Sequence, residues 1–176
     1  MSGLNKGLAK VEVAVRWDPS PIGTPAHDLD IVAATYTTDD IGGDPAYLVY
    51  FGSRSPDGTI TLNRDSRTGQ GFGYDEVMVL ELDRLAPSYA RVVVGVAIQQ
   101  PDGRRTFGDI ANAAIRIRTG PVDVDQHDFA EVGGATAAKV GEFTREASGE
   151  WHYHRDVRGF DADPLTFART MGRASS

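Results

Sequence analysis

Between Lys10 and Trp17 the chain alternates without a break, with Val11, Val13, Val15 and Trp17 on one side and Lys10, Glu12, Ala14 and Arg16 on the other. A period of two is that of a strand with one face buried and one in water. The pattern stops at Asp18-Pro-Ser-Pro-Ile-Gly-Thr-Pro, where three prolines remove ladder donors and impose a loop. Asp28 to Tyr36 predicts a strand that is apolar on both faces after Asp30, and Ala46 to Gly52 predicts another of that kind. Ser55-Pro-Asp-Gly-Thr puts proline and glycine where a tight turn uses them, leading into Ile60-Thr-Leu62. Further strands are predicted over Val77 to Leu82, Arg91 to Gln100, Ala113 to Arg118, Val122 to Phe129, Thr136 to Arg145 and Trp151 to Arg155. The alanines of Thr136 to Arg145 would also suit a helix. A turn is predicted at Pro101-Asp-Gly103 and one helical turn over Phe107 to Asn112. Asp163 as cap and Pro164 as first residue predict a short terminal helix with Gly172 beyond its end.

About nine or ten short strands separated by turn signals predict an all-β fold, a β-sandwich of two mostly antiparallel sheets with a short C-terminal helix. No linker or repeat interrupts residues 1–176, so one domain is expected, large enough to bury a core without staples. Cysteine is absent, which excludes disulfides, thiolate metal sites and cysteine nucleophiles, and suits a cytoplasmic protein. The start, Met-Ser-Gly-Leu-Asn-Lys-Gly, lacks the apolar region of a secretory signal. Val92 to Ile98, the longest run rich in apolar residues, falls far short of the roughly 20 residues that cross a bilayer, so no membrane protein is expected. With 18 Lys and Arg against 25 Asp and Glu, the formal charge of −7 would repel phosphate backbones. No basic stripe offsets it, so nucleic acid is not an expected partner, whereas cations are.

The stretch richest in candidate chemistry is Asn63 to Glu76, where Gly69, Gly71 and Gly73 alternate between Asp65 at one end and Asp75-Glu76 at the other. Glycines reach positive φ cheaply, so backbone carbonyls can turn inward beside carboxylates, and that mixture of oxygens is what calcium coordinates. Asp65 and Glu76 stand eleven residues apart, as the first and last ligands of an EF-hand do. However, Arg67, Gly69 and Gln70 do not supply the intervening ligands or turn glycine, and no amphipathic helices flank the loop. An anion cradle assisted by Arg64 and Arg67 ranks lower, because a strand rather than a helix follows the glycines. A glycine-rich hairpin loop holding nothing is the remaining reading.

Asp28 and Asp30 are two apart at a strand start and share one face. Two carboxylates about 4 Å apart in a partly buried site repel by about 4 kcal/mol at an effective dielectric of roughly 20, unless a cation, an arginine or a proton lies between them. Solvated, separated carboxylates are the simpler reading of an isolated pair.

Enzyme readings are weaker. His152 and His154 share a strand face as zinc or nickel ligands would, with His127 or Asp156 as a third, but Glu150, Tyr153 and Arg155 beside them favour a solvated strand. His27 adjoins Asp28 like a base with its carboxylate, yet no serine stands in a nucleophile elbow. Trp151 and Tyr153 share a face and read as core. No enzymatic activity is therefore expected.

Leu-Asn-Lys-Gly at 4 to 7, Arg-Trp-Asp at 16 to 18, Asp-Leu-Asp at 28 to 30 and Ser-Pro-Asp-Gly at 55 to 58 form an ordered series. It continues with Arg-Thr-Gly-Gln-Gly at 67 to 71, Asp-Glu at 75 and 76, Phe-Gly-Asp-Ile-Ala-Asn-Ala at 107 to 113, Gly-Glu-Phe at 141 to 143 and Gly-Glu-Trp at 149 to 151. In order and spacing this resembles the TerD family of bacterial tellurium-resistance and stress proteins, which are calcium-binding β-sandwiches. The resemblance implies that Asp28, Asp30, Asp65, Asp75 and Glu76, with carbonyls near Gly69 and Gly71, come together to hold one or two calcium ions. Asp18 and Glu142 are candidate additions. Where the family pattern is usually acidic this chain has Gln70, Phe72 and Tyr74, so a weakened site is expected. The implied function is a non-catalytic stress-response binding module whose acidic loops are ordered by the cation. Its partners would be calcium and other stress-complex proteins, membrane-associated ones among them. The alternative is a calcium-independent paralogue serving as an interaction scaffold, with Phe72 and Tyr74 as interface anchors. A hydrolase or sugar-binding sandwich is a third option, which a pocket lined by carboxylates and aromatics would favour.

Overall fold

The computed structural model describes residues 7–64, 74–101 and 103–173. Ten strands form two five-stranded antiparallel sheets packed as a sandwich. The first sheet has the order β4-β5-β1-β7-β8, from β1 (Lys10–Arg16), β4 (Ile60–Arg64), β5 (Glu76–Glu81), β7 (Ala114–Thr119) and β8 (Val122–His127). The second has the order β10-β9-β6-β2-β3, from β2 (Leu29–Thr37), β3 (Tyr47–Val49), β6 (Tyr89–Ile98), β9 (Ala137–Arg145) and β10 (Trp151–Phe160). The helix α1 (Pro164–Thr170) lies on the outer face of the second sheet. The expected sandwich and terminal helix are both present.

The main core forms where the inner faces meet. Val11, Val13 and Val15 of β1 and Met78 and Leu80 of β5 face Leu29 and Ile31 of β2 and Val92, Val94 and Val96 of β6. Each is buried, and a fully buried aliphatic side chain of this size contributes about 1.5–3 kcal/mol. A smaller core lies beneath α1, where Val32, Ala34, Tyr36, Val93 and Ala97 meet Phe167, Ala168 and Met171. Gly95 in the middle of β6 makes that contact possible, because a Cβ there would stand 2.6 Å from the Phe167 ring and 2.8 Å from the Met171 sulfur. Burial on both faces is why β2 and β6 read as continuous apolar runs.

Local chemistry sets the element ends. The Asp163 carboxylate accepts from the Thr166 N–H at 3.0 Å and caps α1, with Pro164 opening the helix as expected. Asp57 closes the 55–59 turn by accepting from the Thr59 amide at 3.1 Å and its hydroxyl at 2.7 Å, with Gly58 at φ 74°. Two extents differ from expectation. Strand β3 keeps only Tyr47–Val49, because Tyr50 and Ser53 pair with each other in a tight bridge. Strand β10 continues past Arg155 to Phe160 across a bulge between Arg155 and Arg158, after which Arg158, Gly159 and Phe160 pair with Lys139, Ala138 and Ala137.

Candidate cation site

Three chain ends meet at one end of the sandwich: the exit of β1 and the entries of β2 and β5. Trp17, just past β1, donates its backbone N–H to Asp75 Oδ2 at 2.8 Å and its indole N–H to the His27 carbonyl at 3.0 Å. The Asp75 N–H in turn donates to the Val15 carbonyl at 2.9 Å. One tryptophan thus ties the residue before Asp28 to the residue before Glu76.

Glu76 opens β5, whose even-numbered residues face the interior. Its carboxylate crosses the sandwich and accepts from the Ile31 N–H at 2.6 Å. Strand β3 covers β2 only from Ala33 to Thr35, so the Ile31 N–H lies on the β3 side beyond the last strand partner, and the carboxylate of the opposite sheet takes that place. Asp30 faces the other way, onto the outer face of the second sheet, where Oδ2 accepts from the Gln99 side-chain amide at 2.6 Å. The Gln99 backbone N–H donates to the Asp28 carbonyl at 2.9 Å, and Asp28 shares a recess with Asp30.

Asp30, Asp75 and Glu76 are no more than 2% exposed, and Asp28 is half-buried. Burying charge is costly without compensating polar contacts, so three buried carboxylates at one end of a small domain mark a site organised around charge. The structure therefore brings Asp28, Asp30, Asp75 and Glu76 to the same end, with Asp28 and Asp30 on one face and Glu76 reaching β2 from within. Asp65, Gly69 and Gly71 lie outside the described residues, as do Gln70 and Phe72. Among the described residues no three carboxylates or imidazoles converge closely enough to hold a metal ion by themselves. The donor set is all oxygen, which suits calcium, but its completion would have to come from the segment between Arg64 and Tyr74.

Other candidates are engaged elsewhere. Asp18 is exposed and accepts from the Asn112 amide at 2.7 Å. Glu142 lies beside Val93, far along β6 from the Ala97 that faces Asp30, and is bound by Arg91 and Lys139. His154 Nε2 lies 3.0 Å from the Thr144 hydroxyl and His152 Nε2 3.3 Å from a Glu146 oxygen. Asp156 holds Lys139 at 2.8 Å, and the His127 ring packs edge-on to Phe129. Burial, then the nearby Arg105, lowers the His27 pKa, which favours its neutral form. The Arg116 guanidinium stacks over the Tyr74 ring at 4.3 Å. The alternation places Trp17 on the apolar side of β1 but does not reveal its two donated bonds, and Gln99 shows in the sequence only within the polar pair that ends the apolar run of β6.

The model of the TerD domain matches residues 1–167. The chain belongs to the TerD family. It is 29% identical over 160 residues to the tellurium resistance protein TerD of Serratia marcescens, covering 87% of this chain and 82% of that protein. It is 29% identical over 168 residues to the stress response protein SCP2 of Bacillus subtilis (strain 168), covering 84% of this chain and 81% of that one. A crystal structure of a protein of unknown function superposes with a TM-score of 0.94 at 60% identity, covering 97% of this chain and all of the other. The chain is thus similar to relatives named for tellurium resistance and for stress response. No helix among the described residues is long and apolar enough to cross a membrane.

Proposed function

We propose that this chain is a cytoplasmic, calcium-binding and non-catalytic module of the tellurium-resistance and stress-response type. The observation that carries this reading is the burial of Asp30, Asp75 and Glu76, beside half-buried Asp28, where β1, β2 and β5 meet. Their oxygens would supply part of a hard-cation coordination sphere, with Asp65 and the carbonyls of Gly69 and Gly71 as the remaining ligands of one or two ions. The ion would neutralise carboxylates that otherwise repel, and so fasten the start of β2 to the start of β5. Other stress-response proteins, membrane-associated ones included, would then recognise the calcium-loaded form.

Calorimetry on chelator-treated protein, with magnesium as control, tests this directly. Saturable calcium binding is expected, and at a calcium concentration about 100 times the Kd it would add about 2.7 kcal/mol of stability. Glu76→Gln keeps an acceptor for the Ile31 N–H while removing charge, so it should fold and bind calcium about tenfold more weakly or worse, since affinity follows ligand charge. No heat and no rise in melting temperature at about 1 mM calcium would overturn the reading, because sensor sites bind well below that. In that event the calcium-independent scaffold becomes the better reading.

A further inference from the structure

Strand β4 is an outer strand of the first sheet, with β5 on one side and, among the described residues, no strand on the other. Successive residues of an antiparallel strand turn their backbone groups alternately to either side. The Glu81 N–H donates to the Thr59 carbonyl at 2.8 Å, so Thr59 and Thr61 direct theirs toward β5, and Ile60 and Leu62 direct theirs away from it. The bond from the Ile60 N–H to the Ser55 hydroxyl oxygen at 3.3 Å has that outward direction. Leu62 is the next such residue along β4, and among the described residues no bond from outside the β4–β5 pair reaches its N–H or C=O.

This edge borders a groove of about 520 Å³. Ser53, Arg54 and Ser55 form one wall and Ile60, Thr61 and Leu62 the other, with Val49 also on the lining. Ile60 and Leu62 belong to the core side of β4 and Thr61 to its exposed side, so the groove runs along the strand's edge rather than over one face. Among the described residues Arg54 is the one charged side chain on the lining, and it is exposed. No described carboxylate lies within ion-pair reach of it. Asp57, three residues on, is engaged with Ser55 and Thr59. In a chain of formal charge −7 this groove is therefore locally positive. An open ladder edge supplies an extended chain with main-chain bonds, and the groove beside it supplies selectivity. An arginine without its own carboxylate selects an acidic partner over a basic one.

We propose that this groove takes an extended acidic segment of another protein, added to the first sheet as a strand beside β4. The Leu62 N–H and C=O and the Ile60 C=O form the rungs, an apolar side chain of the segment packs over Val49, Ile60 and Leu62, and a glutamate or aspartate reaches Arg54. The bulge between Leu62 and Arg64 ends regular pairing, so the paired segment is short, about three to four residues at roughly 3.3 Å each. The site goes beyond the calcium reading and does not rest on it, because none of the carboxylates at 28, 30, 75 and 76 lines the groove.

The test is an NMR titration of the full-length protein with the peptide acetyl-Thr-Val-Glu-Val-Thr-amide, against the same peptide with lysine in place of glutamate. Expected are saturable shifts of the Ser53, Ser55 and Leu62 amides, slower hydrogen exchange at Leu62, and binding of the lysine peptide about fivefold weaker or worse. Arg54 is exposed, so Arg54→Ala should leave the melting temperature unchanged while bringing the two peptides to equal affinity. Methylating the peptide's backbone nitrogens in one alternating set should abolish binding, and methylating the other set should leave it, because only one set faces β4. No saturation by about 5 mM glutamate peptide, equal affinity of the two peptides for the parent protein, or equal effects of the two methylated sets would each overturn the proposal. So would a doubled mass in sedimentation with the same amides shifting as protein concentration rises without peptide, which would assign the groove to a second copy.

Discussion

The two sheets turn different outer faces to their surroundings. The first carries charge: Lys10, Glu12 and Arg16 of β1 are exposed, Glu12 stands opposite Arg118 of β7, and Arg118 reaches Asp123 at 3.0 Å. The second carries a core of its own under α1, and beyond the helix an ionic network in which Arg91 and Lys139 both grip Glu142. Both sheets have the same inner-face logic, so the difference lies entirely in what covers the outside. One short helix, capped by Asp163 and seated over Gly95, turns an alternating strand pattern into a continuous one.

The contrast can be broken most severely at Phe167, which is fully buried against the second sheet. Phe167→Ala should cost about 3–5 kcal/mol in urea denaturation, whereas Glu12→Ala on the first sheet's exposed face should stay within about 0.5 kcal/mol. Equal costs would mean that the helix adds no real core. A smaller effect is expected from the floor beneath it. Gly95→Ala places a Cβ 2.6 Å from the Phe167 ring and 2.8 Å from the Ala138 carbonyl, so about 1–3 kcal/mol should be lost, again by urea denaturation. A stabilised Gly95→Ala protein would show that the helix sits further from the sheet than described.

The smallest expected effect sharpens the comparison through pH. Burial alone would raise the Glu142 pKa, but hydrogen bonds from Arg91 and Lys139 outweigh it and hold the group at about 2, below its usual 4.5. A carboxylate held below its unfolded value stabilises the fold fully above that value, and the contribution fades as pH falls from about 4.5 towards 2. Glu142→Gln should therefore flatten that part of the acid limb in a stability-against-pH curve. An unchanged limb would assign the acid sensitivity to other carboxylates.

Much of this could be read from the sequence where one residue decides one element. The alternation of Val11, Val13 and Val15 gave β1, and Asp163-Pro164 gave the helix start, because period and cap are local signals. The end of β10 was not legible, since Asp156-Val-Arg-Gly-Phe160 has no clean alternation and its place is fixed by pairing with β9 across a bulge. At the candidate site, the carboxylates at 28, 30, 75 and 76 could be named in advance, but their bonds could not. Glu76 meets Ile31 across 45 residues and Asp75 meets Trp17 across 58, and no spacing rule reaches that far.

The bond between Glu76 and Ile31 also bears on how copies of this molecule behave toward one another. A sheet edge invites growth, because an unoccupied N–H on a strand is a docking point for a strand of another chain. Strand β3 shields only three residues of β2, and at Ile31 the next donor on that edge is already taken by a carboxylate reaching over from the opposite sheet. A side chain serves there as the last rung of the ladder. Unlike a strand, it offers no further rung to a newcomer, so at Ile31 the uncovered stretch of β2 is closed by Glu76.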